Sequence, residues 1–235
     1  MNSSKRINLI NNIIRYNLKV VFSGRFIFFI IAGWAFFLLM TGILLFSESS
    51  TEITEVYDSL LFTGILFFFY PVVYNIQNDK DSRMLEIVFG VPDYRYRVYL
   101  LRFVMAVCLM VVMISVMSGL TWFTVLQIPV LNMIVQLFFP LFFLAGLTFL
   151  LTSLMKNANG AAVIMILIGI MFFVLDKIIR YSKWNLFLNP FGNPNDMDMT
   201  IWMNIVRQNR LILIIGSVIT VLWGLNNLQK RERLL

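Results

Sequence analysis

The length of its charge-free apolar runs constrains this chain more than any other feature. Phe26 to Phe46 spans 21 residues without a charge, Ser59 to Asn78 spans 20, and Phe103 to Met155 spans 53. Two further runs, Asn157 to Leu175 and Leu211 to Gln229, span 19 each. Crossing roughly 30 Å of hydrocarbon takes about 20 apolar residues, so the longest run holds two spans. Its break falls at Gln127-Ile128-Pro129, followed by Asn132, because Pro and the amides punctuate helices. The sequence therefore reads as a single membrane domain over 1–235, an all-α integral membrane protein of six transmembrane helices. The spans fall at about 26–46, 59–78, 103–126, 132–155, 160–178 and 208–228.

Charged residues make up only 13% of the chain, against roughly 25% in an ordinary soluble domain. A net charge of +7 does not point to nucleic acid here. The bases gather at span ends, where they set membrane orientation. On one side fall 14 Lys and Arg, and on the other five, which places both termini in the cytoplasm. Those five are Lys177, Arg180, Lys183, Arg207 and Arg210, all flanking the connection before the last span. The opposite bias marks the first outer loop, where Glu48, Glu52, Glu55 and Asp58 stand without a base. No cleavable leader is expected, because the first apolar run exceeds a 7–15-residue signal core. The lone Cys108 excludes an intrachain disulfide.

Two polar segments carry more than orientation. Within 1–24, Ile7, Ile10, Ile14, Leu18 and Val21 recur at helical spacing, with Lys5, Asn8, Asn12, Arg15 and Lys19 between them. That pattern predicts an amphipathic helix lying in the membrane interface. The stretch NDKDSRMLEIVFGVPDYRYR, 78–97, holds eight charges. Burying them in lipid would cost on the order of 20 kcal/mol at about 2.5 each, so the segment lies outside the hydrocarbon. Asp79, Asp81 and Ser82 are N-cap residues by type. Met84, Leu85, Val88 and Phe89 share one side of the helix that would follow, which Gly90 and Pro92 end. The longest outer connection, 180–204, contains Asn189-Pro190, Gly192 and Asn193-Pro194 in an apolar context. It suits a re-entrant or interfacial element and equally a plain surface loop.

This layout resembles a type-2 ABC exporter permease. In such families the loop between the second and third spans tends to carry a mixed charge cluster, then Leu-Glu, a Pro, and a base opening the third span. Here those features are Asp79-Lys80-Asp81, Leu85-Glu86, Pro92 and Arg102, and an Asn-Pro turn after the fifth span is matched by Asn189-Pro190-Phe191. One position departs: Arg83-Met84 stands where many members have Gly-Thr. The resemblance implies that 79–99 is a cytoplasmic coupling loop. Asp81, Arg83, Met84, Leu85, Glu86, Val88 and Phe89 would seat on a separate ABC ATPase subunit. Lys156, Asn157 and Asn159 would make a second, smaller contact. It further implies a dimer with a second copy or a related permease, in the cytoplasmic membrane of a bacterium. ATP and Mg would be bound by the partner, with no cofactor on this chain. A separate engine fits the sequence, which contains no G-x-x-x-x-G-K-[ST] phosphate loop.

Catalysis within the chain is not expected. It has no His, the commonest general base and metal ligand, and its spans hold no acid pair. Ser115, Ser118, Thr121 and Thr124 read as hydroxyls bonding to backbone or between helices. Met110, Met113 and Met117 read as gap fillers rather than a copper site. Gly216, Thr220 and Gly224 form a small-residue strip that would allow close helix approach. Tyr70-Pro71 would kink the second span, and Asp176, Lys177 and Arg180 read as a solvated border. The competing functions are a lipid-modifying membrane enzyme and a membrane anchor that recruits a cytoplasmic partner without transport. No substrate-binding residue is named by the sequence.

Overall fold

The computed structural model describes residues 26–46, 51–74, 77, 94–155, 157–192, 194 and 197–229, without the side chains of 94–97, 177 and 229. Six helices account for most of them: α1 (Phe26–Phe46), α2 (Ile53–Val73), α3 (Tyr94–Thr124), α4 (Val130–Met155), α5 (Ala158–Ile179) and α6 (Met199–Gln229). No strand occurs among the described residues. All six helices are long and apolar enough to cross a membrane, which gives the chain a multi-pass topology. The break in the long apolar run is a tight hairpin, with the Pro129 carbonyl accepting the first bond of α4 from Met133 N–H.

Several helices begin before the charge-free runs that mark them. α2 starts at Ile53 and so includes Glu55 and Asp58, while α6 starts at Met199 and includes Arg207 and Arg210. A charge count registers what lipid excludes, whereas a helix continues as long as its backbone bonds close and its end is capped. Glu55 Oε2 accepts the Glu52 N–H at the start of α2. Asn157 Oδ1 accepts the Asn159 N–H at the start of α5, and Asp198 Oδ1 the Thr200 N–H at the start of α6.

The bundle is organised around α2. Some 67% of its most apolar stretch is buried, against 11% for α1 and 17% for α5. Gly64 makes that central position possible, since a Cβ built there would lie 2.6 Å from Leu141 of α4 and 3.4 Å from Ile114 of α3. On the outside of α2, Phe29 of α1 stacks on Tyr70 at 4.5 Å. Pro71 sits in the last turn of α2, which ends at Val73, so its missing N–H falls near the helix terminus.

The tightest seam joins α4 to α6, and the small-residue strip builds it. A Cβ on Gly146 would meet Thr220 Oγ1 at 2.7 Å, one on Gly216 would meet Phe143 at 2.7 Å, and one on Gly224 would meet Phe149 at 2.8 Å. Met110 and Met117 are buried in the core between helices. Ser115, Thr121 and Thr124 donate to carbonyls one turn back along α3, while the buried Ser118 hydroxyl has no partner among the described residues.

Successive helices alternate in direction, giving the bundle two distinct ends. At the loop end lie the 180–198 connection, the start of α2, and the 125–129 hairpin turn. At the turn end lie the close of α2, the 155–158 connection, and the last turn of α6, whose Asn227 Nδ2 donates to the Ser153 carbonyl at 2.6 Å.

Candidate functional site

The 180–198 connection folds back onto the bundle through a repeated Asn-x-Phe unit. In Asn185-Leu186-Phe187 the Asn185 Oδ1 accepts the Phe187 N–H at 3.0 Å, and in Asn189-Pro190-Phe191 the Asn189 Oδ1 accepts the Phe191 N–H at 3.1 Å. Each asparagine thereby satisfies its own turn with the carbonyl oxygen and keeps its amide free to donate elsewhere. Asn185 Nδ2 donates to Asp176 Oδ1 at 3.0 Å, and Asn189 Nδ2 to Asp58 Oδ1 at 3.0 Å and to the Thr54 carbonyl. The phenylalanines that follow turn inward: Phe187 meets Phe62 and Phe172, and Phe191 meets Tyr57. Leu186 and Leu188 are buried. The described residues 180–192 thus form a cap anchored to α2, α5 and α6.

Beneath this cap lies Arg210, only 5% exposed in the fourth turn of α6. Among the described residues its guanidinium meets no carboxylate and is held by neutral acceptors from four elements. Nε donates to Gln136 Oε1 of α4 and Nη1 to Asn209 Oδ1, both at 2.9 Å. Nη2 donates to the Tyr57 hydroxyl of α2 at 3.3 Å and to the Leu188 carbonyl of the cap at 3.2 Å. The Phe139 ring lies 5.8 Å from the guanidinium carbon, adding a cation–π contact. Asn209 Nδ2 in turn donates to the Asn185 carbonyl at 2.8 Å. A hydrogen-bonded chain therefore runs from Asp176 through Asn185 and Asn209 to Arg210, and on to Gln136 and Tyr57. A charge this deep in an apolar bundle is costly unless every proton finds an acceptor, and the cap supplies one of them.

Between the cap, the start of α2, and the end of α5 lies a cavity of about 500 Å³. Its polar wall holds Glu52, Glu55, Asp58 and Asp176 together with Arg180, and its apolar wall holds Phe62, Phe173, Phe187, Tyr181 and Trp202. Asp176, partly exposed, and Arg180, exposed as expected of a solvated border, both line this cavity, because α5 ends beside the cap. The Trp202 indole N–H donates to the Pro190 carbonyl at 3.3 Å, closing the far side. This end of the molecule combines a buried cation, an acidic cavity, and a cap.

The chain matches no family model, no curated protein and no solved structure.

Asp81, Arg83, Met84, Leu85, Glu86, Val88 and Phe89 lie outside the described residues, as do Lys156 and the interfacial-helix positions Ile7, Ile10, Ile14, Arg15 and Leu18. Asn157 and Asn159 are described, at the turn end. There the Tyr74 hydroxyl donates to Asn159 Oδ1 at 3.0 Å, and the Ala158 N–H to Gln77 Oε1 at 2.9 Å. The start of α5 is thereby tied to the chain as it leaves α2 for the charged stretch.

The inward position of Arg210 escaped sequence reading for a definite reason. Charge counting treats Arg210 as a border residue. Helical spacing would have found it, since Trp202, Val206, Leu213 and Ser217 are buried on the same face of α6.

Proposed function

We propose that this chain is the membrane permease subunit of an exporter driven by a separate ATPase, working as a dimer with a second copy or a related chain. Both termini and the turn end face the cytoplasm, with the amphipathic 1–24 segment lying in the interface. The observation that carries the reading is the junction at the turn end. Tyr74 and Gln77, at the entry to the charged 78–97 stretch, hydrogen-bond to Asn159 and Ala158 of the 155–160 turn. The two segments that would meet an ATPase therefore leave the bundle side by side, as one docking face requires.

A partner seated there would move the close of α2 and the start of α5 together. Because α2 occupies the centre of the bundle, a shift at its end is felt by α1, α3 and α4. Switching would then exchange two packings of the bundle, biased by the partner's nucleotide state. Chemistry stays with the partner, which binds ATP and Mg, while this chain supplies the path.

The test is to tag the C-terminus, solubilise native membranes gently, and identify what copurifies. The expected partner is a soluble protein with a phosphate-binding loop, whose ATP hydrolysis falls several-fold when Leu85→Asp or Glu86→Lys is introduced. Insertion of the variants into the membrane should stay normal. A complex with no nucleotide-binding partner, or coupled hydrolysis unchanged in both variants, would replace the transport reading with an anchoring role.

A further inference from the structure

We propose that the cavity at the loop end binds an organic cation carrying an apolar body. The proposal does not depend on transport, since it concerns what the wall holds and not what moves.

The volume, about 500 Å³, falls within the roughly 300–1,000 Å³ of small-molecule pockets. Its chemistry is one-sided. Four carboxylates line it, and among the described residues Arg180 is the single cation on the wall. Asp58 and Asp176 are each held in place by a neutral partner. Each accepts one neutral asparagine amide through Oδ1, and Oδ2 of each has no hydrogen-bond donor among the described residues. The same wall supplies aromatic faces, with Tyr181 and Trp202 meeting edge to face at 6.1 Å and Phe62 lying 6.0 Å from Phe187. Carboxylates set beside aromatic rings attract onium groups through charge and ring quadrupole together.

Two further features narrow the class. No three acidic side chains among the described residues converge closely enough to hold a metal ion, so the field favours a diffuse charge over a compact one. Phe62 and Phe173 line the cavity while remaining 42% and 69% exposed on the flank of the bundle. An apolar body can therefore leave the cavity sideways, between α2 and α5, into the surrounding hydrocarbon. The ligand can be a membrane lipid with a cationic amine in its headgroup or a free cationic amphiphile. Both offer the same chemistry to the wall.

The experiment uses the full chain in nanodiscs of digalactosyldiacylglycerol, a neutral bilayer lipid without a cationic amine, and a pair of probes of matching shape, tetraphenylphosphonium and tetraphenylborate. Saturable phosphonium binding is expected above the background of empty discs, with none for the borate. Asp58→Asn combined with Asp176→Asn should weaken phosphonium binding about tenfold or more, and Arg180→Gln should tighten it about threefold. The opposite direction of the second variant separates loss of charge from loss of fold. Equal binding of both probes, no saturable phosphonium binding, or an affinity unchanged by the double substitution would overturn the proposal. With the expected result in hand, the titration is repeated in discs containing phosphatidylethanolamine. Competition identifies the headgroup as occupant, and its absence identifies a free amphiphile.

Discussion

Arg210 brings a positive charge into an apolar bundle and spends it on neutral oxygens. Gln136, Tyr57, Asn209 and the Leu188 carbonyl each receive one of its protons, so removing the guanidinium leaves several buried acceptors without a donor. At about 1 kcal/mol or more for each, Arg210→Gln should destabilise the protein by roughly 2–4 kcal/mol, with a fall in detergent-solubilised melting temperature of roughly 5–15 °C. Arg207 is exposed one turn away, and Arg207→Gln should change stability by no more than about 0.5 kcal/mol. Equal melting temperatures for the two variants would show that the buried network contributes nothing. Both arginines look alike in a list of charges, and only their position on the helix face distinguishes them.

The α4–α6 seam and the 180–192 cap were legible to different degrees. The strip Gly216, Thr220 and Gly224 is visible as spacing alone, and it packs against Phe143, Gly146 and Phe149. Gly146 itself gave no pattern, being a single glycine in an apolar run. Yet a side chain there would press on Thr220 Oγ1 and on the Ser217 carbonyl. Because backbone cannot yield as a flexible side chain can, Gly146→Leu should cost about 1–3 kcal/mol and lower the yield of folded protein. Gly42, whose added Cβ would meet nothing within 4 Å, should accept Gly42→Ala with little change, as measured by size-exclusion profile and melting. The cap's turns could be read from Asn189-Pro190 and Gly192. Its contacts could not, because the same asparagine that closes a turn reaches Asp58 and Thr54, which lie 131 and 135 residues away in the chain.

The arrangement of the whole bundle gives the proposed orientation a direct test. In a Cys108→Ser background, Glu52→Cys should react with a membrane-impermeant maleimide in intact cells, and Lys230→Cys only after permeabilisation. The reverse pattern would invert the assignment of sides and move the acidic cavity to the cytoplasm. Sequence alone determined that the chain folds as apolar helices, about how many there are, and where the long run must break. Those follow from local rules: backbone groups in hydrocarbon must bond within their own helix, and charge tolerates only the ends. Tertiary structure alone decided that α2 is central, that Arg210 points inward, and that Asp58 and Asp176 face one cavity from two different helices. These depend on which faces meet. In an apolar environment one greasy face attracts another no more than lipid does, so partners are chosen by close fit and by buried polar groups that must find each other across the chain.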